Sequence, residues 1–233
     1  MSSVRIVCYC AVLVMCAQLP LPLALCAEPK YEVHETRLGP IHSDVQAPTF
    51  SKDGLHVAYV TARGGKVLVV VDAVPGREYD DIGEGSLIFS PDGRRVAYAA
   101  KKGAKQLVVV DGDEGAEYDG IGKGSLIFSP DGRRVAYAAK KGEKHLVVVD
   151  SLPGPQYDGI IEGSLIFSPD GKRVAYAAGK GEKRLVVVDG APGPQYDGII
   201  PNGPSFHEDG VLEYLAHRVR VLYRVTHTPA AGG

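Results

Sequence analysis

The sequence predicts an all-β fold, a single β-propeller of four-stranded antiparallel blades, and three observations support it. A block of 39 residues repeats along most of the chain in constant register. Each copy holds short runs of β-branched and aromatic residues separated by turn signals, with no helical periodicity. One run in each complete copy is apolar at four or more consecutive positions, which indicates a strand buried on both faces.

The repeat is marked by a phenylalanine that opens an aromatic-Ser/His-x-Asp-Gly motif. The two units that start at Ser86 and Ser125 differ at only nine of their 39 positions. A period of roughly 20 to 50 residues is typical of repeat proteins whose units bury their faces on one another. The marker phenylalanine recurs at intervals of 39 residues, at Phe50, Phe89, Phe128, Phe167 and Phe206.

The unit Ser86–Gly124 shows the predicted elements in order. Leu87–Phe89 predicts the first strand, and a Pro-Asp-Gly turn follows it. Val96–Ala100 and Leu107–Val110 predict the second and third strands, with a Lys-Lys-Gly turn between them. A weaker fourth strand is predicted at Glu117–Ile121, before two glycines.

The third strand decides between sheet architectures. Leu107, Val108, Val109 and Val110 are consecutive apolar residues, whereas a sheet with one wet face alternates apolar and polar residues. Antiparallel sheets that are covered on both faces by copies of themselves are the blades of a β-propeller. Burying each such side chain stabilises the fold by roughly 1.5–3 kcal/mol.

The period also predicts the number of blades. The fifth unit keeps Phe206, Asp209 and Gly210 but lacks a fourth strand. Residues 31–38 are strand-like, and we predict that they supply this strand and close a five-bladed ring. An open array, or a protomer that completes a larger ring by association, is the alternative. The predicted boundaries are a signal peptide at 1–27, an N-terminal segment at 28–46, repeats at 47–85, 86–124, 125–163, 164–202 and 203–226, and a flexible tail at 227–233.

The first 27 residues differ from the rest of the chain. Arg5 is their only charged residue, residues 6–17 are almost wholly apolar, and the segment ends in small residues at Ala27. This pattern predicts a cleaved secretory signal peptide, with an uncleaved membrane anchor or a lipoprotein modified at Cys26 as alternatives. All four cysteines lie inside the segment, so the mature chain carries no disulfide and no thiolate chemistry. We therefore expect export to the periplasm or the cell exterior.

The repeated motif FSPDGRRVAYAA resembles the signature of TolB-type, WD-repeat-like β-propeller repeats, which are also seen in the propeller domains of prolyl-oligopeptidase-like peptidases. The resemblance covers residues 47 to about 226. The chain departs from it in having no tryptophan and too few residues before the first repeat for the α/β domain of TolB. The resemblance implies a propeller fold and a role in protein contact.

Residues that could carry chemistry are sparse. The formal net charge is −2, which argues against bulk nucleic-acid binding. The seven histidines occupy no repeat-equivalent positions, no calcium-loop or HExxH spacing occurs, and no G-x-S-x-G motif is present. Aspartates beside turns are better explained by local backbone hydrogen bonds than by metal binding. We predict no catalytic residue, no metal ligand and no cofactor.

Charge patterning predicts a binding surface instead. The turn between strands two and three and the link to the next blade should emerge on one rim, which carries many lysines. The Pro-Asp-Gly aspartates and the loops from the valine strand to the Tyr-Asp pair should make the other rim acidic. A basic rim would dock an acidic protein surface or a polyanionic glycan, although the charges could serve only to keep the hairpins soluble. The predicted binding residues are Lys102, Lys105, Lys141, Lys144, Lys180 and Lys183.

A repeated tyrosine predicts a second kind of site. It is expected to begin the fourth strand, either packing between blades or stacking on sugars in a multivalent lectin. The chain is therefore expected to be an exported, non-enzymatic scaffold that binds a protein of the cell envelope. A lectin-like propeller is the alternative, and a hydrolase or lyase acting in the central channel is the third. The candidate sugar-stacking residues are Tyr79, Tyr118, Tyr157 and Tyr196.

Overall fold

Short antiparallel strands joined by tight turns form the whole of the described chain. The computed structural model describes residues 48–201 and 203–228. The predicted signal peptide and the predicted closing strand at 31–38 lie outside the described residues, so both stay predictions. Within the described ranges, no helix is long and apolar enough to span a membrane.

The strands form five separate antiparallel sheets, one for each repeat. Blade 1 contains β1 (Thr49–Phe50), β2 (Val57–Arg63), β3 (Lys66–Val71) and β4 (Val74–Tyr79). Blade 2 contains β5 (Asp81–Ile82), β6 (Ile88–Phe89), β7 (Val96–Lys102), β8 (Lys105–Val110) and β9 (Asp113–Glu114). Blade 3 contains β10 (Gly120–Ile121), β11 (Ile127–Phe128), β12 (Val135–Lys141), β13 (Lys144–Val149) and β14 (Leu152–Tyr157).

Blade 4 repeats the five-stranded arrangement of blades 2 and 3, and the described part of blade 5 has four strands. Blade 4 contains β15 (Gly159–Ile160), β16 (Ile166–Phe167), β17 (Val174–Lys180), β18 (Lys183–Val188) and β19 (Ala191–Pro192). Blade 5 contains β20 (Gly198–Ile199), β21 (Ser205–Phe206), β22 (Leu212–Arg218) and β23 (Val221–His227). In its described part, blade 5 ends with β23.

The innermost strand of each complete blade is broken in two. In blade 2, β5 pairs with one end of β7 and β6 pairs with the other end. The gap is held by Ser86, whose hydroxyl donates to the Gly83 carbonyl at 2.6 Å and accepts the Ala99 N–H at 3.0 Å. The serine thus replaces the missing strand pairing, and the chain bulges away from β7.

The third strand is buried on both faces, as predicted. Leu107, Val108 and Val109 in β8 are 0, 2 and 0% exposed. Val108 packs toward blade 3, while Leu107 and Val109 pack toward blade 1. Consecutive sheets therefore stack face to face, which is the packing of propeller blades.

The predicted fourth strand was misplaced. In blade 2 the outer strand begins at Asp113 and ends where Tyr118 bridges to Gln106. Gly120 and Ile121 already belong to blade 3, where they pair with β12. The predicted strand Glu117–Ile121 therefore spans the end of one blade and the start of the next, because its short apolar pattern could not show which sheet each half joins.

Candidate functional site

The lysine rim is the side of the blades formed by the hairpins between second and third strands and by the links between blades. The hairpin of blade 2 turns between Lys102 and Lys105. The link from blade 2 to blade 3 contains Asp119, and its backbone N–H donates to the carbonyl of Lys140 in β12. Hairpin and link therefore lie on the same side.

Aspartates of the links join neighbouring blades on this rim. Asp119 accepts a hydrogen bond from the Lys105 ammonium of its own blade at 2.5 Å. Its other oxygen accepts the Gly142 N–H from the hairpin of blade 3 at 2.7 Å. The same arrangement recurs for Lys66 with Asp80 and Gly103, Lys144 with Asp158 and Gly181, and Lys183 with Asp197 and Val219.

These contacts favour the ionised aspartates. The hydrogen bond from Lys105, with that from the Gly142 N–H, holds the pKa of Asp119 below its ordinary value. Lysine and backbone donors do the same for the pKa of Asp80, Asp158 and Asp197. The four carboxylates are charged at neutral pH and act as structural links between blades.

The prediction that the Tyr-Asp aspartates lie on the opposite rim is therefore wrong. It followed from the misplaced fourth strand, which assigned these residues to the wrong end of the blade. Three of the predicted binding lysines, Lys105, Lys144 and Lys183, are engaged by these aspartates at 2.5 Å. A fourth, Lys102, lies 3.0 Å from Glu114.

The remaining lysines of the rim form no direct ion pair with a described residue, although Lys101, Lys140 and Lys180 lie close enough to the link aspartates to lower their pKa. Lys141 and Lys180 are exposed and form no ion pair with any described residue. The same is true of Lys101, which is exposed, and of Lys140, which is half-buried. Of the six predicted binding lysines, only Lys141 and Lys180 have no ion-pair partner among the described residues. Lys101 and Lys140, which were not among the six, also have none.

Arginines on the opposite rim were missed by the charge argument. Arg95 donates to Asp111 at 2.8 Å and to the carbonyl of Arg133 in the next blade at 2.6 Å. Its guanidinium lies 5.5 Å from the centre of the Phe128 ring. The 39-residue period could have revealed this set, because the equivalent arginines Arg134 and Arg173 make the same cross-blade contacts.

The motif serines of this rim have a structural role. Ser90 is 2% exposed, donates to the Asp92 carboxylate at 2.5 Å and accepts the Arg95 N–H at 2.9 Å. Ser129 and Ser168 make the equivalent bonds. These hydroxyls close the Pro-Asp-Gly turn. Among the described residues, no group of three or more His, Cys, Asp and Glu side chains could hold a metal.

The four candidate tyrosines are buried between blades. Each ends the outer-strand segment instead of beginning it, and each is between 2 and 6% exposed. Tyr118 packs edge-to-face against Tyr137 of the next blade, with ring centres 6.3 Å apart. A buried ring offers no face to a sugar, so Tyr79, Tyr118, Tyr157 and Tyr196 are not a sugar-stacking surface.

Comparison with known proteins finds similarity among solved structures only. No protein-family model and no curated protein matches the sequence. TolB from Acinetobacter baumannii has a TM-score of 0.40 and 14% identity, over 79% of this chain and 52% of that one. The β-propeller domain of the Trilobed protease from Pyrococcus furiosus has a TM-score of 0.43 and 14% identity, over 80% and 69%.

The fold is a β-propeller, similar to that of TolB. This conclusion rests on the five stacked sheets of the chain itself. The chain spans about half the length of the TolB chain that it matches, 52%. Similarity at 14% identity concerns the fold alone and leaves activity open.

Proposed function

We propose that this protein is an exported, non-enzymatic β-propeller that binds an acidic protein partner of the cell envelope through its lysine rim. The observation that supports the proposal is the set of four lysines, Lys101, Lys140, Lys141 and Lys180, which lie on one rim and form no ion pair with any described residue. Unpaired cations on one side of a protein attract an anionic surface and speed its docking.

The sugar-binding alternative has less support. The tyrosines that suggested it are buried, and only the lysines could meet an anionic glycan. The motif serines and link aspartates are used in contacts within and between blades. The best-supported role for the exposed lysines is therefore recognition.

Charge reversal tests the proposal. The triple variant Lys101→Glu, Lys141→Glu and Lys180→Glu should lose capture of an envelope protein by the mature chain, read by pull-down and mass spectrometry. The matched control is Arg94→Glu, Arg133→Glu and Lys172→Glu, which makes the same change in net charge at exposed residues of the opposite rim. Capture by the unaltered protein should weaken as salt is raised.

Two results would count against the proposal. Equal loss in both triple variants would mean that net charge, and not the lysine rim, controls binding. Capture that survives rim reversal at low salt would remove the rim from recognition altogether. Binding of a polyanionic glycan array in place of any protein would favour the carbohydrate alternative.

A further inference from the structure

Two hollows open on the lysine rim between neighbouring blades. Hollow A lies between blades 2 and 3 and has a volume of about 200 Å³. Hollow B lies between blades 3 and 4 and has a volume of about 360 Å³. Each opens where the innermost strand is broken, and its floor is a pair of alanines, Ala99 and Ala100 in hollow A and Ala138 and Ala139 in hollow B.

Three of the nine differences between two otherwise matching repeats fall on these hollows. Of the nine positions at which the units from Ser86 and Ser125 differ, five lie in the outer-strand region at 112–117. The other four lie on the lysine rim, and three of them line the hollows. Hollow A has Gln106, Gly122 and Lys123 where hollow B has His145, Ile161 and Glu162.

The next repeat changes the lining again while keeping the scaffold. Lys140 and His145 of blade 3 correspond to Gly179 and Arg184 of blade 4. The strands around them, VAYAA and LVVVD, are identical in blades 2, 3 and 4. Because the framework is constant and the lining is not, the hollows differ in what they can contact.

The lining points to an apolar group flanked by negative charge. Ile121 and Leu126 wall hollow A, and Ile160 and Leu165 wall hollow B. At the mouths, Lys101 belongs to hollow A and Lys140 to hollow B, and neither has an ion-pair partner among the described residues. An acidic ligand therefore complements the unpaired charge.

Acidic side chains also lie at the mouths of the hollows, but they repel an acidic ligand only weakly. Glu84 lines hollow A and lies 3.4 Å from the ammonium of Lys123, with both side chains largely exposed. An exposed pair of this kind contributes about 0–1 kcal/mol and can be displaced. Asp81 lines hollow A and Glu162 lines hollow B. Lys101 is the cross-strand neighbour of Asp81, so a carboxylate of the partner must compete with this acid at hollow A, whereas Lys140 faces Gly120 across its strand pair.

Hollow B also contains an unsatisfied polar group. Gln106 in hollow A accepts the Ile121 N–H at 2.7 Å, so its amide is anchored. The side chain of His145, at the equivalent position in hollow B, forms no hydrogen bond with the described residues, and its Nδ1 atom is buried. Buried polar atoms are normally hydrogen-bonded, so the two hollows differ in a polar group that is anchored in one and unpaired in the other.

From this arrangement we propose that hollows A and B each receive one apolar side chain of a single extended, acidic peptide segment of the partner protein. Small-molecule sites are typically about 300–1,000 Å³; hollow A, at 200 Å³, is smaller than this range and hollow B, at 360 Å³, is at its lower end, so each has room for a side chain. The turn Ile121–Gly124 lines both hollows, so a chain lying across it reaches the two at once. The proposal rests on the protein-binding function above and specifies its ligand.

The test uses synthetic peptides of 12 residues and the mature protein. One set carries two leucines separated by two to five residues with glutamates between them, and matched sets replace the glutamates by lysine or the leucines by serine. Fluorescence anisotropy should show binding of the acidic leucine set only. Absence of binding in this set, or equal binding of all three, overturns the proposal.

Repeat swaps, which are substitutions that copy residues from one repeat into the matching positions of another, locate the binding site, and they use side chains that another blade already accommodates. The double variant Lys140→Gly and His145→Arg gives hollow B the residues of blade 4, so the fold already accommodates them. We expect Kd for the acidic leucine peptides to rise at least about tenfold, equivalent to 1.4 kcal/mol. Ile161→Gly, which gives hollow B the residue of hollow A at this one position, should alter which leucine spacing binds best. Lys172→Glu on the opposite rim should leave Kd unchanged.

The two proposals fail in different ways. If the swaps leave Kd unchanged, the hollows are not the site, even where rim reversal still abolishes capture of the envelope protein. If rim reversal leaves capture intact while the swaps weaken peptide binding, the hollow proposal stands and the charge-based docking proposal fails.

Discussion

At the scale of single residues, one histidine interrupts a repeated cross-blade contact. Arg95, Arg134 and Arg173 each stack on the phenylalanine of the next blade and pair with an aspartate of their own blade. Blade 1 has His56 at this position, 2.6 Å from Asp72 and 6.5 Å from the Phe89 ring. The contact between blades 1 and 2 therefore depends on protonation, whereas the others do not.

This substitution predicts a pH dependence of stability. The hydrogen bond to Asp72 raises the pKa of His56 above its ordinary value of 6.5. A group whose pKa is raised on folding stabilises the protein fully below its unfolded pKa, and the effect disappears as pH rises through the folded pKa. The melting temperature should therefore fall as pH rises above 6.5, and His56→Arg should flatten that part of the curve.

The reciprocal variant is the control for this prediction. Arg95→His should introduce a second loss of melting temperature over the same pH range, because it places the protonation-dependent contact between blades 2 and 3. Identical pH profiles for the unaltered protein and His56→Arg would show that the His56 contact does not contribute.

At the scale of elements, the central strands differ between a buried blade and the terminal one. Val108 of blade 2 is 2% exposed and packs against blade 3. Arg224 occupies the equivalent position of β23, where its guanidinium lies 2.6 Å from Glu213 and its side chain is 70% exposed. An exposed position accommodates a charged side chain that a buried one would not.

Exchanging these side chains tests the difference. Val108→Arg buries an unpaired charge and should lower the free energy of unfolding by more than about 4 kcal/mol, or prevent folding. Arg224→Val removes a largely exposed ion pair and should change it by less than about 1 kcal/mol. Chemical denaturation measures both. Similar effects from the two exchanges would contradict the difference in burial between Val108 and Arg224.

At the scale of the whole molecule, the outer edge of blade 5 is unfinished in the described residues. In blades 1 to 4 the third strand pairs with an outer strand, but β23 pairs only with β22. Leu222 of β23 is 62% exposed. Unpaired strand edges are sites of association, so a segment that covers this edge would stabilise the protein.

Deleting residues 29–45 tests whether the N-terminal segment provides that cover. Loss of the predicted closing strand at 31–38 should lower the melting temperature and promote association through β23. Deleting the tail at 229–233 is the control and should change neither property. An unchanged melting temperature after the first deletion would rule out closure by this segment.

Much of the fold could be predicted because its determinants are local. The turn motifs predicted the second and third strands, and the uninterrupted run Leu107–Val110 predicted that the third is buried on both faces; β7 and β8 agree. The lack of a fourth strand in the last unit stays a prediction, because residues 229–233 lie outside the described residues. The candidate site was predicted less well, because ion pairing depends on which residues of different blades meet.

The sequence by itself determined the period, the strand order within a unit and the need to cover both faces of each sheet, since these follow from side-chain pattern along one short segment. Only the tertiary structure decided where one blade ends and the next begins. That boundary places Asp119 beside Lys105, buries Tyr118 and opens the hollows around Gln106 and His145. The reason is physical: pairing between blades joins residues far apart in the chain, and no local pattern records it.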